Sequence, residues 1–221
     1  MEICFVLVRP ARAENIGAAA RAIKTMGFTA LRVVGSQAHL EPQAQWVAHG
    51  AQDVLEGIAA FDDLASALAD CDLAVGTTAR SRSGKHQYLT PAELAVQAKA
   101  QQGAVARLAI VFGCEESGLA NEELALCQLR SYLPLAQPYP SLNLGQAVML
   151  YAYALSGLES VPADDTIAEG LMTTARERLK AVLAKAAIGE EEIPAQWALE
   201  SLSRAGERDL KLLLFILNKL G

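Results

Sequence analysis

Three turns and one helix face hold the residue types in this chain that are suited to chemistry. The densest turn is Gly113-Cys114-Glu115-Glu116-Ser117-Gly118-Leu119. It follows the apolar run 107–112 and leads into a helix that starts at Asn121, an N-cap residue type, with Glu122 and Glu123 in its first turn. Glycine at both ends signals positive φ or a close backbone approach. The second turn is Pro138-Tyr139-Pro140-Ser141-Leu142-Asn143. Its prolines restrict φ, and Ser141 or Asn143 can cap the apolar helix that follows. The third, Gly76-Thr77-Thr78-Ala79-Arg80-Ser81-Arg82-Ser83-Gly84-Lys85, alternates small hydroxyl and basic side chains, a composition suited to phosphates or a cofactor edge. On the first helix Asn15 is of N-cap type, and Gly17 and Arg21 stand four apart on one face. Helical side chains lean toward the N-terminus, so Arg21 is expected to lie over the bare patch left by Gly17, aimed at the mouth of the preceding loop. A guanidinium there can stabilise a developing anion. The plainer alternatives are a surface arginine, an incidental glycine, ordinary helix caps and solvated acids.

The elements that must position these residues alternate along the chain. Residues 3–8, 31–34, 73–77, 108–112 and 131–135 read as strands, and 14–26, 42–49, 61–68, 91–101, 121–127 and 144–158 as helices. This predicts an α/β fold with a parallel sheet covered by helices on both faces. Ligands in such sheets bind at the carboxyl ends of the strands, where the glycine, serine and asparagine turns fall. Helix 144–158 has almost no charged side chain, so it is expected to be buried in the core or against a second subunit. Residues 1–158 form this domain. Residues 159–170, with Pro162, Asp164 and Asp165, read as a linker, and 171–221 as a helical extension of two or three helices.

Composition excludes several classes. Of 221 residues 52% are apolar, ample for a core, yet no apolar run spans a bilayer and no signal peptide opens the chain. A soluble, cytoplasmic protein with no membrane partner is expected. Cys4, Cys71, Cys114 and Cys127 form no CxxC pair and stand at no zinc-ligand spacing with His39, His49 or His86, so reduced thiols and no metal are expected. Neither GxGxxG nor GxxxxGK[ST] occurs where a nucleotide motif needs it. The net charge of −6 is poor for a nucleic-acid binder, but basic residues cluster locally: Arg9, Arg12, Arg21 and Lys24 near one loop, and Arg80, Arg82, Lys85 and His86 near another.

Three segments resemble, in order, the motifs of the SpoU/TrmH branch of the SPOUT RNA methyltransferases, nearest to its TrmJ-type and LasT-like members. They are Asn15–Gly27, Val111–Leu119 and Pro140–Val148, and the 77–84 loop is similar to the TrmJ-type loop. The resemblance covers about residues 1–158. It implies a C-terminal trefoil knot, a homodimer, S-adenosyl-L-methionine as cofactor, and methyl transfer to a ribose 2′-OH of RNA, with tRNA as the substrate. It further implies that Arg21 activates the hydroxyl and that Asn15 and Glu115 organise that arginine. Ser141 and Asn143 match the third motif's serine and asparagine, and Tyr139 a tyrosine beside the site. Thr77, Thr78, Ala79, Gly113, Leu133, Ser141 and Leu142 fall where the family contacts its cofactor. Gly145 departs from the pattern, since bulkier residues are common there. The alternatives are rRNA as substrate, or a non-catalytic RNA-binding or regulatory protein that keeps the knot.

Overall fold

The computed structural model describes residues 1–79, 87–137, 142–158 and 170–220. Seven strands form one sheet among them: β1 (Glu2–Val8), β2 (Ala30–Val34), β3 (Ala59–Phe61), β4 (Leu73–Thr78), β5 (Tyr88–Leu89), β6 (Arg107–Phe112) and β7 (Leu129–Tyr132). Their order is β3-β2-β1-β6-β4-β7-β5, and every pair is parallel. β1 and β6 are apolar on both faces, as strands buried under helices must be. Phe5, Leu7, Leu108, Ile110 and Phe112 point into the larger core, and Cys4, Val6, Val8, Ala109 and Val111 into the smaller one on the other face.

The larger core is roofed by α1 (Ala13–Thr25), α2 (Pro42–Val47), α3 (Gln52–Glu56), α5 (Pro91–Ala100) and α7 (Leu144–Leu155). The smaller is covered by α4 (Leu64–Leu68) and α6 (Asn121–Ala125) through Leu64, Ala67 and Leu124. α1 turns Ile16, Ala19, Ala20 and Ile23 inward at helical spacing. Thr90 and Glu93 close a capping box on α5, with Pro91 in the first turn.

Two glycines let these helices approach closely. A Cβ on Gly17 would overlap the Ala44 carbonyl and crowd the Ala48 nitrogen of the α2 segment. Gly17 therefore does not leave a bare patch for Arg21, as its spacing implied; the backbone of a neighbouring helix fills it. Gly145 does the same for α7, where an added Cβ would sit 2.7 Å from the Ala18 Cβ on α1. The unusual residue in the third motif is thus matched by the small residues of the first helix.

Beyond residue 169 come α8 (Leu171–Lys185), α9 (Ile193–Leu202) and α10 (Glu207–Leu220). Leu171, Met172, Ala175, Leu202 and Leu210 join the larger core. Thr173 Oγ1 donates to Asp72 Oδ1 at 3.0 Å, and Arg176 Nη2 to the Asp72 carbonyl at 2.8 Å. The Gln101 amide donates to the carbonyls of Ser203 and Ala205. The expected linker lies in 159–169, outside the described residues, apart from Gly170.

Several boundaries differ from the sequence reading. Phe61 belongs to β3, not to a helix, and the last strand lies at Leu129–Tyr132 instead of 131–135. Ser131 is buried mid-strand because its hydroxyl has partners: it donates to the Leu89 carbonyl at 2.7 Å and accepts from Tyr151 Oη at 2.8 Å. β3, β5 and α3 are too short to register as periodicity. Among the described residues no helix is long and apolar enough to cross a membrane, and no His/Cys/Asp/Glu group is arranged to hold a metal. All four cysteines are free thiols.

Candidate active site

The site is built at the carboxyl ends of the central strands, where the chain switches from filling one side of β1 to filling the other. Past Phe112 the chain folds into a tight turn. Cys114 pairs with Gly118 across it, and the Gly118 N–H donates to the Cys114 carbonyl at 2.9 Å. Gly118 has φ +69°, and a Cβ on Gly113 would overlap the backbone of Gly118 and Leu119. Both reasons for glycine expected from the sequence thus operate, one at each end. Inside the turn the Cys114 sulfur lies 3.0 Å from Ser117 Oγ. That hydrogen bond draws the thiol below its ordinary range.

The turn lifts Glu115 toward the loop between β1 and α1. Glu115 Oε2 accepts the Ala11 N–H at 2.9 Å, and Oε1 accepts Asn15 Nδ2 at 2.6 Å. Asn15 Oδ1 in turn accepts Asn143 Nδ2 at 2.7 Å, and Asn143 Oδ1 accepts the Gly145 N–H at 2.8 Å. Each amide has its oxygen on one neighbour and its nitrogen on the next, so every donor in the chain points toward the carboxylate. Such aligned bonds polarise one another. Burial pushes the Glu115 carboxyl up, but the Ala11 N–H and the Asn15 amide outweigh it and hold it below the usual carboxylate range.

Asn15 is not the helix cap its type implied. Arg12 occupies the cap position, and Asn15 sits within the first turn, 6% exposed, with its side chain turned into the site. Asn143 does cap α7, and the Gln146 side chain accepts its N–H at 3.0 Å to complete a capping box. One side chain therefore both starts α7 and holds Asn15.

The expected cofactor positions fall on three adjacent strand ends. Thr77 pairs with Ser131 and Thr78 with Tyr132, while pairing of β4 with β6 stops at Gly76 and Val111. Thr77 Oγ1 closes that gap by donating to the Val111 carbonyl at 2.9 Å. Gly113 and Leu133 follow directly on β6 and β7 and are half-buried, as is Leu142, and Ala79 is exposed. Ser141 and Tyr139 lie outside the described residues, as do Arg80, Arg82, Lys85 and His86 of the second basic cluster.

Arg21 is not drawn into this network. It is exposed on the outer side of α1, six residues from Asn15, or about 9 Å along the axis. Among the described residues its side chain makes no hydrogen bond or ion pair, and neither does that of Arg12. Glu115 organises Asn15 and the Ala11 backbone, not the arginine. The other two cations of the first cluster are engaged within the protein, Arg9 by Glu123 and Lys24 by Asp53. Ala11 and Glu123 escaped the sequence reading. A backbone donor leaves no signature in residue type, and Glu123 read simply as an acid in a helix's first turn.

A model of the SpoU rRNA Methylase family matches residues 2–153. The uncharacterized tRNA/rRNA methyltransferase LasT of Escherichia coli is 47% identical over 215 residues, covering 96% of this chain and 94% of the relative. The tRNA (cytidine/uridine-2′-O-)-methyltransferase TrmJ of Sodalis glossinidius is 38% identical over 180 residues, covering 80% and 70%. Among solved structures, TrmJ from Z. mobilis superposes with a TM-score of 0.67 at 29% identity, covering 100% of this chain and 99% of its own. The family match takes in the whole sheet and the segments that meet at Asn15, and the chain belongs to the SpoU rRNA Methylase family.

Proposed function

We propose that this chain is an S-adenosyl-L-methionine-dependent ribose 2′-O-methyltransferase acting on tRNA. The observation that carries the reading is the hydrogen-bond chain from Glu115 through Asn15 to Asn143. It ties the three motif segments together at the carboxyl ends of a parallel sheet, where such sheets bind ligands. The name of the TrmJ relative supports tRNA as substrate. A trefoil knot is proposed with it. The strand order is compatible, since β6 enters between β1 and β4, and β7 between β4 and β5.

The residues present fit the cofactor. Thr78, Ala79, Gly113 and Leu133 bring short side chains and main-chain groups to three neighbouring strand ends, a donor set for a nucleoside held mainly on backbone. S-adenosyl-L-methionine supplies an electrophilic methyl group when bound. The chain's own part is to bring the ribose hydroxyl in line and to stabilise the charge that develops on its oxygen. Arg21 is assigned that stabilising role. With a pKa above about 12 a guanidinium is a poor proton acceptor, so lowering the hydroxyl's pKa or holding a phosphate is its task. Glu115 is assigned the part of an anchor: each of its carboxylate oxygens accepts one hydrogen bond, from the Ala11 N–H and the Asn15 amide.

A homodimer through α7 and the outer face of α1 belongs to the same reading. Leu150 and Tyr153 of α7 are 41% and 70% exposed. A second copy packed there would cover them together with the flank of Arg21. Residues 1–158 are the catalytic domain, 159–170 its linker and 171–221 a helical extension, in a protein of the cytoplasm. The test is transfer of tritiated methyl to total tRNA and, separately, to rRNA, followed by nucleoside analysis. A 2′-O-methylated nucleoside from tRNA is expected. Label in rRNA alone replaces the substrate, and no label in either removes the reading.

A further inference from the structure

We infer that Arg9 is a positioning residue of the proposed active site. Its ion pair with Glu123 holds the loop between β1 and α1 in a left-handed turn, at the height where Ala11 and Asn15 meet Glu115. The inference rests on the methyltransferase reading above for its consequence, and on geometry for its premise.

Arg9 has φ +47°, a left-handed conformation that non-glycine residues seldom adopt. Such strain persists where the surroundings impose it, and it clusters at functional sites. Here three contacts impose it. The Arg9 N–H extends the β1–β2 ladder by one bond, to the Val34 carbonyl at 2.8 Å. The side-chain stem lies so close to Gly35 that a Cβ there would be 3.2 Å from Arg9 Cγ. The guanidinium fork then takes the Glu123 carboxylate with both terminal nitrogens, Nη1 to Oε1 and Nη2 to Oε2, the second at 3.1 Å. Glu123 is itself fixed, with a side chain 12% exposed and Oε2 accepting the Ala120 N–H at 2.7 Å.

Two carboxylates of the segment after β6 therefore grip successive pieces of one loop. Glu123 holds the side chain of Arg9, and Glu115 holds the main chain of Ala11 and the amide of Asn15. Ser36 Oγ supports the loop from β2, donating to the Pro10 carbonyl at 3.1 Å. A half-exposed ion pair adds little to stability, but a two-pronged arginine–carboxylate pair fixes direction. Removing it should therefore displace the loop while leaving the fold intact. That separates Arg9 from a structural residue, whose loss would lower the melting temperature first.

The experiment uses the full chain as Arg9→Gln, Glu123→Gln, the double variant and Arg9→Gly. Each is assayed for kcat and for KM toward S-adenosyl-L-methionine, and by NMR for the exchange rate of the Ala11 amide. Each single variant is expected to lose about 10-fold in kcat through misplacement. KM should stay within about twofold, the Ala11 amide should exchange faster, and the double variant should be no worse than either single one. Arg9→Gly should fall with Arg9→Gln, although it tolerates the backbone conformation. Wild-type kcat in Arg9→Gly, losses that multiply in the double variant, or unchanged Ala11 exchange would each overturn the assignment. If the wild-type chain transfers no methyl group, the functional reading fails, and the exchange rates alone still decide whether Arg9 holds the loop.

Discussion

The two ends of the sheet are held by different chemistry. At the amino end charges meet charges. Asp70 takes both Arg32 and Arg107, and Arg107 also takes Glu2 at 2.7 Å. Beside them the Asp72 carboxylate accepts the N–H groups of Ala106 and Arg107 and the hydroxyl of Thr173. At the carboxyl end neutral amides share the holding with one ion pair, Arg9 with Glu123. Asn143 donates to Asn15 and Asn15 to the Glu115 carboxylate, while the exposed side chains of Arg12 and Arg21 have no partner among the described residues. The amino end uses its cations to fasten strands. The carboxyl end is fastened without the side chains of Arg12 and Arg21, which stay exposed.

That contrast is broken most directly at Arg21. Arg21→Ala is expected to lower methyl transfer by about 10²–10³-fold, the usual loss for one stabiliser of developing charge. Titration calorimetry should show cofactor binding unchanged and scanning calorimetry an unchanged melting temperature. Arg21→Lys should not rescue, because an ammonium lacks the planar fork. Equal loss of cofactor binding would move the residue to the cofactor site.

The opposite pattern is expected at the amino end. Asp72→Ala strands two backbone N–H groups and the Thr173 hydroxyl, and should destabilise by about 3 kcal/mol. The folded fraction should keep its turnover. Urea denaturation followed by an activity assay below the transition reads both, and a fall in kcat without loss of stability would erase the distinction between the two ends.

Gly17 sharpens the comparison from the packing side. Gly17→Ala gains about 1 kcal/mol in helix propensity. Against that, the new Cβ meets the Ala44 carbonyl, and overpacking of this kind costs about 1–3 kcal/mol. A lower urea midpoint is expected, and a higher one would show that α1 and α2 can separate freely.

The smallest effect is a pH dependence at Asp70. Arg32 holds its carboxyl down at about 2, against a usual 3.8. A depressed folded value contributes stability that is present above the unfolded value and lost as pH falls through the folded one, so the window is about pH 4 to 2. The Asp70 side chain is 50% exposed, so screening limits the contribution to under about 1 kcal/mol. Asp70→Asn should flatten the acid limb of the stability curve by that amount, and added salt should do part of the same.

The sheet was legible in the sequence because β1 beyond Glu2 and β6 beyond Arg107 are apolar runs, and the start of α7 because Asn143 precedes an uncharged run. Gly113 and Gly118 were legible as a tight turn for the same local reasons. Asn15 was not. Near a helix start an asparagine reads as a cap, and its actual partners, Glu115 and Asn143, are 100 and 128 residues away. Gly17 misled in a similar way, since no local pattern tells a glycine kept for a ligand from one kept for a neighbouring helix. Three-residue and two-residue strands such as β3 and β5 have no period to detect, and their pairing is decided by the sheet edge they join.

The position of β6 also bears on how the chain is made. β1 can pair with β2 once residue 34 has left the ribosome, but its other edge faces β6, whose last paired residue is Phe112. Roughly 80 residues separate the two events, on the order of 4–15 s at ordinary rates of synthesis. Throughout that interval a strand reading Ile3-Cys4-Phe5-Val6-Leu7-Val8 has an unpaired edge, the kind of template that other chains join. Parallel pairing over so long a separation is also slow in itself. A strand buried inside the finished sheet is thus an open edge in the nascent chain, and yield in a heterologous host should depend on chaperone supply during those seconds.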